Sequence, residues 1–372
     1  MHRRRRIALA FFLVAVVGLV HDPISRRVRA GFLLLALSAQ HGKGETPKAA
    51  LPLVEQDVSL PGRDGPIRAR IYRRADLGRA PGLVISHGVH YRGIDERRLV
   101  PFARELARSG RVVLTPELRD LTDYRITPQG VGIISDAVLW LSRQRQLVSD
   151  EKVGMMGFSF AGGLSLVAAS RPELEGKVEW VTSVGGHHDL RRVLHFLVSN
   201  EIETPTGIVH EKAHEYGLVV VLYGNIEHFV DAPDRETLRD ALRLWLHEDR
   251  SAAVARASQR TTESGERLFW LLENGELQTL RPELERLVAE HRDELAALSP
   301  RGKLADIAAP VYLLHGSADS VIPPSETEWA DQELRDAPHQ ALVSPLLEHV
   351  EVSKSAALAQ QLALVDFMSR LM

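Results

Sequence analysis

The stretch Lys152 to Ser170, KVGMMGFSFAGGLSLVAAS, places a serine between small residues where an apolar strand pattern gives way to a helical one. Gly157-Phe158-Ser159-Phe160-Ala161 has the form of a nucleophile elbow, a turn so sharp that only small residues fit on either side of the serine. Ala161 stands where a glycine is usual, a tolerable change because alanine is nearly as small. A serine at such a tip is strained and exposed, and the first N–H groups of the following helix point toward developing negative charge. The same residues also suit a serine N-cap in a glycine-rich turn, so the motif needs support. A serine hydroxyl is a poor nucleophile at neutral pH; it needs a base, and the base needs an orienting acid.

Two later segments supply both. Pro310 to Pro323, PVYLLHGSADSVIP, is an apolar strand followed by a loop carrying Asp319, and His349 lies in LLEHVEVS, after a strand pattern at Ala341 to Val343. All three residues follow strand patterns, and open parallel sheets bind ligands at the carboxyl ends of their strands. The expectation is Ser159 as nucleophile, His349 as base and Asp319 as the acid that orients it. In Leu83 to Gly93, LVISHGVHYRG, a strand ends at His87-Gly88. The backbone N–H groups of Val89 and Phe160 are then the expected oxyanion donors. His87 reads as a packing or hydrogen-bonding residue rather than a second base.

One rival motif is present. His210-Glu211-Lys212-Ala213-His214 matches H-E-x-x-H, which on a helix would put two zinc-binding histidines on one face with Glu211 as base. The third ligand of the longer zinc-protease pattern falls at Val220, which cannot coordinate a metal, so no metal site is expected. Gly185-Gly186-His187-His188-Asp189 follows a strand and reads as substrate contact or, preferably, as hydrogen bonding at the hinge of an insertion.

The elements that must position these residues alternate. Gln56 to Leu60 and Ile67 to Tyr72 read as a hairpin, and Leu83 to Ser86, Val112 to Leu114, Val153 to Met156, Val178 to Val184, Val311 to Leu314 and Ala341 to Val343 as further strands. Helical spacing of apolar residues marks Glu96 to Arg108, Ile133 to Leu147 and Leu164 to Ala169. Such alternation predicts an α/β fold, a doubly wound and mostly parallel sheet. Between Arg191 and Pro300 helical patterns dominate, at Glu236 to His247, Glu266 to Leu272 and Pro282 to Leu298, while Leu218 to Leu222 suits either strand or buried helix. The expected organisation is a leading segment 1–46, a first core part 47–190, a helical cap insertion 191–300 and a second core part 301–372. The charged stretch Arg235 to Arg250 reads as a solvated cap face. The loop Arg119 to Arg125 is a conceivable substrate contact that its composition does not require.

GFSFAGG, LVISHGVHYRG and LLHGSADSVIPPSE together resemble the α/β-hydrolase superfamily, in particular its dienelactone-hydrolase-like and prolyl-oligopeptidase-like branch. The resemblance covers roughly 56–190 and 310 to the C-terminus. It implies a Ser159, Asp319, His349 triad in that chain order, and hydrolysis of an ester or less often an amide. Dienelactone hydrolase itself uses a cysteine nucleophile, and the chain has no cysteine. Prolyl oligopeptidases carry an N-terminal propeller, for which the segment before Gln56 is too short. The resemblance therefore speaks to reaction type more than to substrate.

The lack of cysteine excludes disulfides, thiolate metal sites and a cysteine nucleophile. A net charge of -3 gives no electrostatic reason to expect nucleic acid. Four consecutive arginines, Arg3 to Arg6, precede an apolar run from Ile7 to Val20, the pattern of a signal or signal anchor. An uncleaved membrane anchor is the expectation, with a second short apolar stretch, Gly31 to Ala39, lying in the interface. A pair of N-terminal helices packed on the domain, or an exported or periplasmic protein, are the alternatives. The chemistry expected is thus a serine hydrolase acting on a small carboxylic ester, with no cofactor. A peptidase or acyltransferase on the same triad, and a non-catalytic tethered binding protein, are the other readings.

Overall fold

The computed structural model describes residues 26–27, 30–31, 51–348, 351–352 and 358–371. The apolar run Ile7 to Val20, most of the second stretch from Gly31 to Ala39, and His349 therefore lie outside the described residues. Among the described residues, no helix is long and apolar enough to cross a membrane.

Strands form where the apolar runs predict them. They are β1 (Leu53–Leu60), β2 (Ile67–Arg74), β3 (Ala80–Ser86), β4 (Val112–Pro116), β5 (Val148–Phe158) and β6 (Val178–Val184). A small hairpin, β7 (Glu201–Thr204) and β8 (Gly207–His210), intervenes before β9 (Val311–Gly316) and β10 (His339–Ser344). A second pair, β11 (Leu347–Glu348) and β12 (Glu351–Val352), follows. Eight strands join in the order β1-β2-β4-β3-β5-β6-β9-β10. β1, β2 and β4 pair antiparallel, and every pair from β4 to β10 is parallel. Buried on both faces, β4 and the inner part of β5 are continuous apolar runs rather than alternating ones.

Helices α1 (Leu99–Arg108), α2 (Arg119–Thr122), α3 (Pro128–Ser142) and α4 (Phe160–Ala169) connect the first strands. Between β6 and β9 lie α5 (Leu190–Ser199), α6 (Glu215–Gly224), α7 (Arg235–Leu246), α8 (Arg250–Ala257), α9 (Glu263–Glu273), α10 (Arg281–Glu290) and α11 (Arg292–Ala297). Finally α12 (Ser325–Glu333) precedes β10, and α13 (Leu358–Ser369) follows β12. One face of the sheet packs on α3, α4 and α5. The other packs on α1 and α13, and Ala30 is buried in that cluster, next to the Arg27–Asp366 ion pair that ties the N-terminal segment to α13. A separate cluster joins α6, α7 and α9 to Tyr124 and to Val198 at the end of α5.

Three sequence expectations change. The ambiguous Leu218 to Leu222 is helix, the buried middle of α6. Ile133 to Leu147 does not run through: α3 starts earlier, at Pro128, and stops at Ser142, because Gln144 to Leu147 form the turn that feeds β5. Pro282 to Leu298 is broken at His291, whose ring Nδ1 bonds the Leu287 carbonyl (2.9 Å) that its own N–H also uses. The backbone leaves helical geometry at this residue (φ −94°, ψ 17°), where α10 stops and α11 starts afresh.

Candidate functional site

The register of the sheet brings one end of five strands level. Ser86 is opposite Gly157, Phe158 opposite Val184, Val184 opposite Leu314, and Gly316 opposite Ser344. The residues just beyond these pairs therefore share one edge of the sheet: His87 to Val89 after β3, Ser159 after β5, Gly185 after β6 and Asp319 after β9. Of the sequence-derived candidates, Ser159, Asp319, Val89 and Phe160 lie at this edge, and His349 lies outside the described residues.

Ser159 has φ 54° and ψ −134°, a conformation rare for any residue with a side chain. Strain of this kind costs on the order of 1–3 kcal/mol and persists only where the surroundings hold it. Here the Ser159 N–H donates to the Val184 carbonyl (2.8 Å), and the Gly162 N–H donates to the Ser159 carbonyl (2.7 Å). Gly157 is required for the same reason, since a Cβ there would stand 2.2 Å from the Ala161 carbonyl oxygen. Phe160 opens α4, so its N–H has no acceptor within the helix.

The loop after β3 closes over the serine. A Cβ on Gly88 would lie 3.1 Å from Ser159 Cβ and 3.8 Å from its Oγ, so a side chain at this position would press on the serine. His87 beneath it is buried and makes two bonds, Nδ1 to the Gly88 carbonyl (2.8 Å) and Nε2 accepting from the Leu118 N–H (2.9 Å). Both bonds together require the neutral ring with its proton on Nδ1. Burial pulls the pKa of His87 down to about 4, which agrees with that state. His87 is thus a hydrogen-bonding residue, as its position in the sequence suggested.

Asp319 is buried, and its Oδ1 accepts from the N–H groups of Val321 (2.9 Å) and Ile322 (3.0 Å). Its Oδ2 lies 3.4 Å from Nε2 of His315. His315, which sequence reasoning passed over, bonds the Ile322 carbonyl (2.9 Å) and the Thr327 hydroxyl (2.8 Å), bracing the Asp319 loop from below. Two N–H donors on one oxygen fix the plane of the carboxylate.

The segment Gly185 to Asp189 does not open to solvent: His187, His188 and Asp189 are buried. The His188 and Asp189 N–H groups donate to Glu326 Oε2 (2.8 and 2.7 Å), and Arg192 pairs with Glu326 (2.8 Å). Where the chain returns from the helical insertion, the Leu190 N–H donates to Ser299 Oγ, the Arg301 N–H to the His188 carbonyl, and Arg301 pairs with Asp189. This segment is a structural staple, the preferred of its two sequence readings.

The H-E-x-x-H motif lacks its helix. His210 ends β8, and His214 precedes α6, where its Nδ1 accepts from the Tyr216 N–H (3.2 Å). Among the described residues, no group of three or more His, Cys, Asp or Glu is placed to hold a metal ion. The stretch Arg119 to Arg125 faces the insertion: Tyr124 is buried in its cluster, and Asp123 accepts from the Tyr223 hydroxyl (2.6 Å). Tyr216, also unremarked in the sequence, donates its hydroxyl to the Val89 carbonyl (3.2 Å).

No family model matches the chain, and a search of curated proteins finds no match. Solved structures do resemble it. A variant of the rice cell wall degrading esterase LipA from Xanthomonas oryzae aligns over 90% of this chain and 93% of its own, with 15% identity and a TM-score of 0.56. A bacterial brefeldin A esterase aligns over 92% and 87% with 17% identity and a TM-score of 0.47. An esterase from Pyrobaculum calidifontis aligns over 93% and 90% with 17% identity and a TM-score of 0.43. At these identities the likeness concerns architecture, and it is the LipA alignment that carries it. Together with the strand order and the strained turn after β5, it establishes that this chain has the α/β-hydrolase fold.

Proposed function

We propose that the protein is a serine hydrolase that cleaves a small carboxylic ester through an acyl-enzyme on Ser159. The observation that carries this reading is the strained backbone of Ser159, locked between β5 and α4 with Gly88 facing its side chain. Ser159 Oγ attacks the ester carbonyl while His349 takes its proton, and Asp319 orients the imidazole. The N–H groups of Val89 and Phe160 receive the oxyanion. The alcohol leaves with the proton from His349, and water then attacks the acyl-enzyme with His349 as base, releasing the acid and restoring the serine. The leading basic and apolar segment supports attachment to a membrane as part of the same reading.

The test is intact mass after treatment with a fluorophosphonate, comparing the parent with Ser159→Ala. One adduct on the parent and none on the variant is expected. A folded parent that takes no adduct, or a variant that still takes one, would sink the assignment.

A further inference from the structure

We infer that Tyr216, on the helical insertion, is a positioning residue that fixes the Val89 N–H toward the oxyanion. The inference rests on the serine-hydrolase reading above. In a trans peptide the C=O and N–H point opposite ways, so the direction of the Val89 N–H is set by whatever holds the Gly88 carbonyl. His87 Nδ1 holds it at 2.8 Å. The next peptide, from Val89 to His90, is held at its own carbonyl by the Tyr216 hydroxyl at 3.2 Å. With the planes on both sides of Val89 pinned, its φ and ψ have little room to move.

The two clamps come from different parts of the molecule. His87 belongs to the sheet, whereas Tyr216 sits in the first turn of α6, 127 residues away in sequence. Val89 correspondingly packs against both the sheet cluster and the insertion cluster. Burial raises the pKa of Tyr216, so its hydroxyl keeps the proton it donates. Tyr124 backs the ring, edge to face, with centroids 6.3 Å apart. The insertion thereby completes a catalytic element of the sheet, and an oxyanion donor depends on its being seated.

The experiment uses the full chain, p-nitrophenyl butyrate as probe and fluorophosphonate labelling as a second readout. Tyr216→Phe removes only the hydroxyl. It is expected to lower kcat about tenfold, with KM within about twofold, because a displaced donor is lost mainly from the transition state. The labelling rate should fall by a similar factor, while the thermal midpoint stays near that of the parent. Tyr223→Phe is the control: that hydroxyl bonds Asp123 and Arg243 in the same aromatic cluster but does not reach the loop. Its kcat should stay within about twofold of the parent.

Parent kcat in Tyr216→Phe would overturn the inference. So would an equal fall in Tyr223→Phe, which marks general loosening, or a rise in KM alone, which marks substrate contact. If the parent labels at Ser159 but does not turn over the ester, the labelling rates of the two variants decide. A parent that never labels, or labels equally after Ser159→Ala, defeats the underlying reading and this one with it.

Discussion

A buried histidine that must stay neutral gives the molecule a defined response to acid. His87 has a pKa of about 4 in the folded chain against 6.5 in an unfolded one. Between those values the unfolded chain holds the proton and the folded chain does not, so each step down in pH favours unfolding. The contribution is intact above about pH 6.5, erodes as pH falls, and is fully lost near pH 4, a span worth roughly 3 kcal/mol. His87→Asn should therefore flatten the dependence of the urea midpoint on pH between 7 and 4, and an unchanged slope would contradict the assignment. His187, also lowered chiefly by burial, adds to the same slope and keeps the variant from being wholly flat. The placement of Ser159 and Asp319 beyond strand ends was legible in the sequence because each belongs to a local pattern of strand, turn and small residues. Tyr216 and His315 were not, since a tyrosine near the start of a helix and a histidine inside a strand carry no local sign of what they touch.

Among the elements, α12 is the one whose start bears the most. Glu326, in its first turn, is nearly inaccessible and accepts from two backbone N–H groups and from Arg192. Arg192 is also buried, with its guanidinium over the Trp329 ring. Glu326→Ala would take from a buried cation one of its two carboxylates, leaving it Asp189 alone, and would leave two N–H groups unsatisfied, a loss of about 3 kcal/mol. Urea unfolding should show it, and a midpoint equal to the parent's would mean that the staple carries no stability. The strands of the main sheet were located by apolar runs bounded by turn residues, but their ends were not, as in β5, read over Val153 to Met156 and formed over Val148–Phe158, and the β7–β8 hairpin was not read at all. The helices of the insertion were read less well, as at His291, where one periodic run is two helices because the backbone turns out of helical geometry there. The polar staple itself was only one of two readings of Gly185 to Asp189, because its partners Glu326 and Arg301 lie more than a hundred residues downstream.

For the whole molecule, the N-terminal segment has two separable parts. Arg27 is paired with Asp366 on α13 and Ala30 is buried in the cluster that α13 shares with the sheet, whereas the arginine cluster and first apolar run precede them. If that run is a membrane anchor, a chain beginning at His21 should keep its ester hydrolysis and thermal midpoint but move from the membrane pellet to the supernatant. Equal partitioning of the two chains would end the anchor reading. Composition and hydropathy suggested this segment, but they do not reveal that Arg27 pairs with Asp366 on the C-terminal helix. The staple at the base of the insertion also bears on how such a molecule diversifies. The chain leaves the sheet near His188 and returns near Arg301, and the two points are hydrogen-bonded to each other. The cost of closing a loop grows only slowly with its length. The part between α6 and α10, which packs in its own cluster, can therefore change in length while the strands beneath keep their register. What a replacement has to keep is the packing of α5 on the sheet, Arg192 on Glu326 and, by the inference above, a hydroxyl on the Val89 carbonyl, so the ground floor dictates part of the storey built on it.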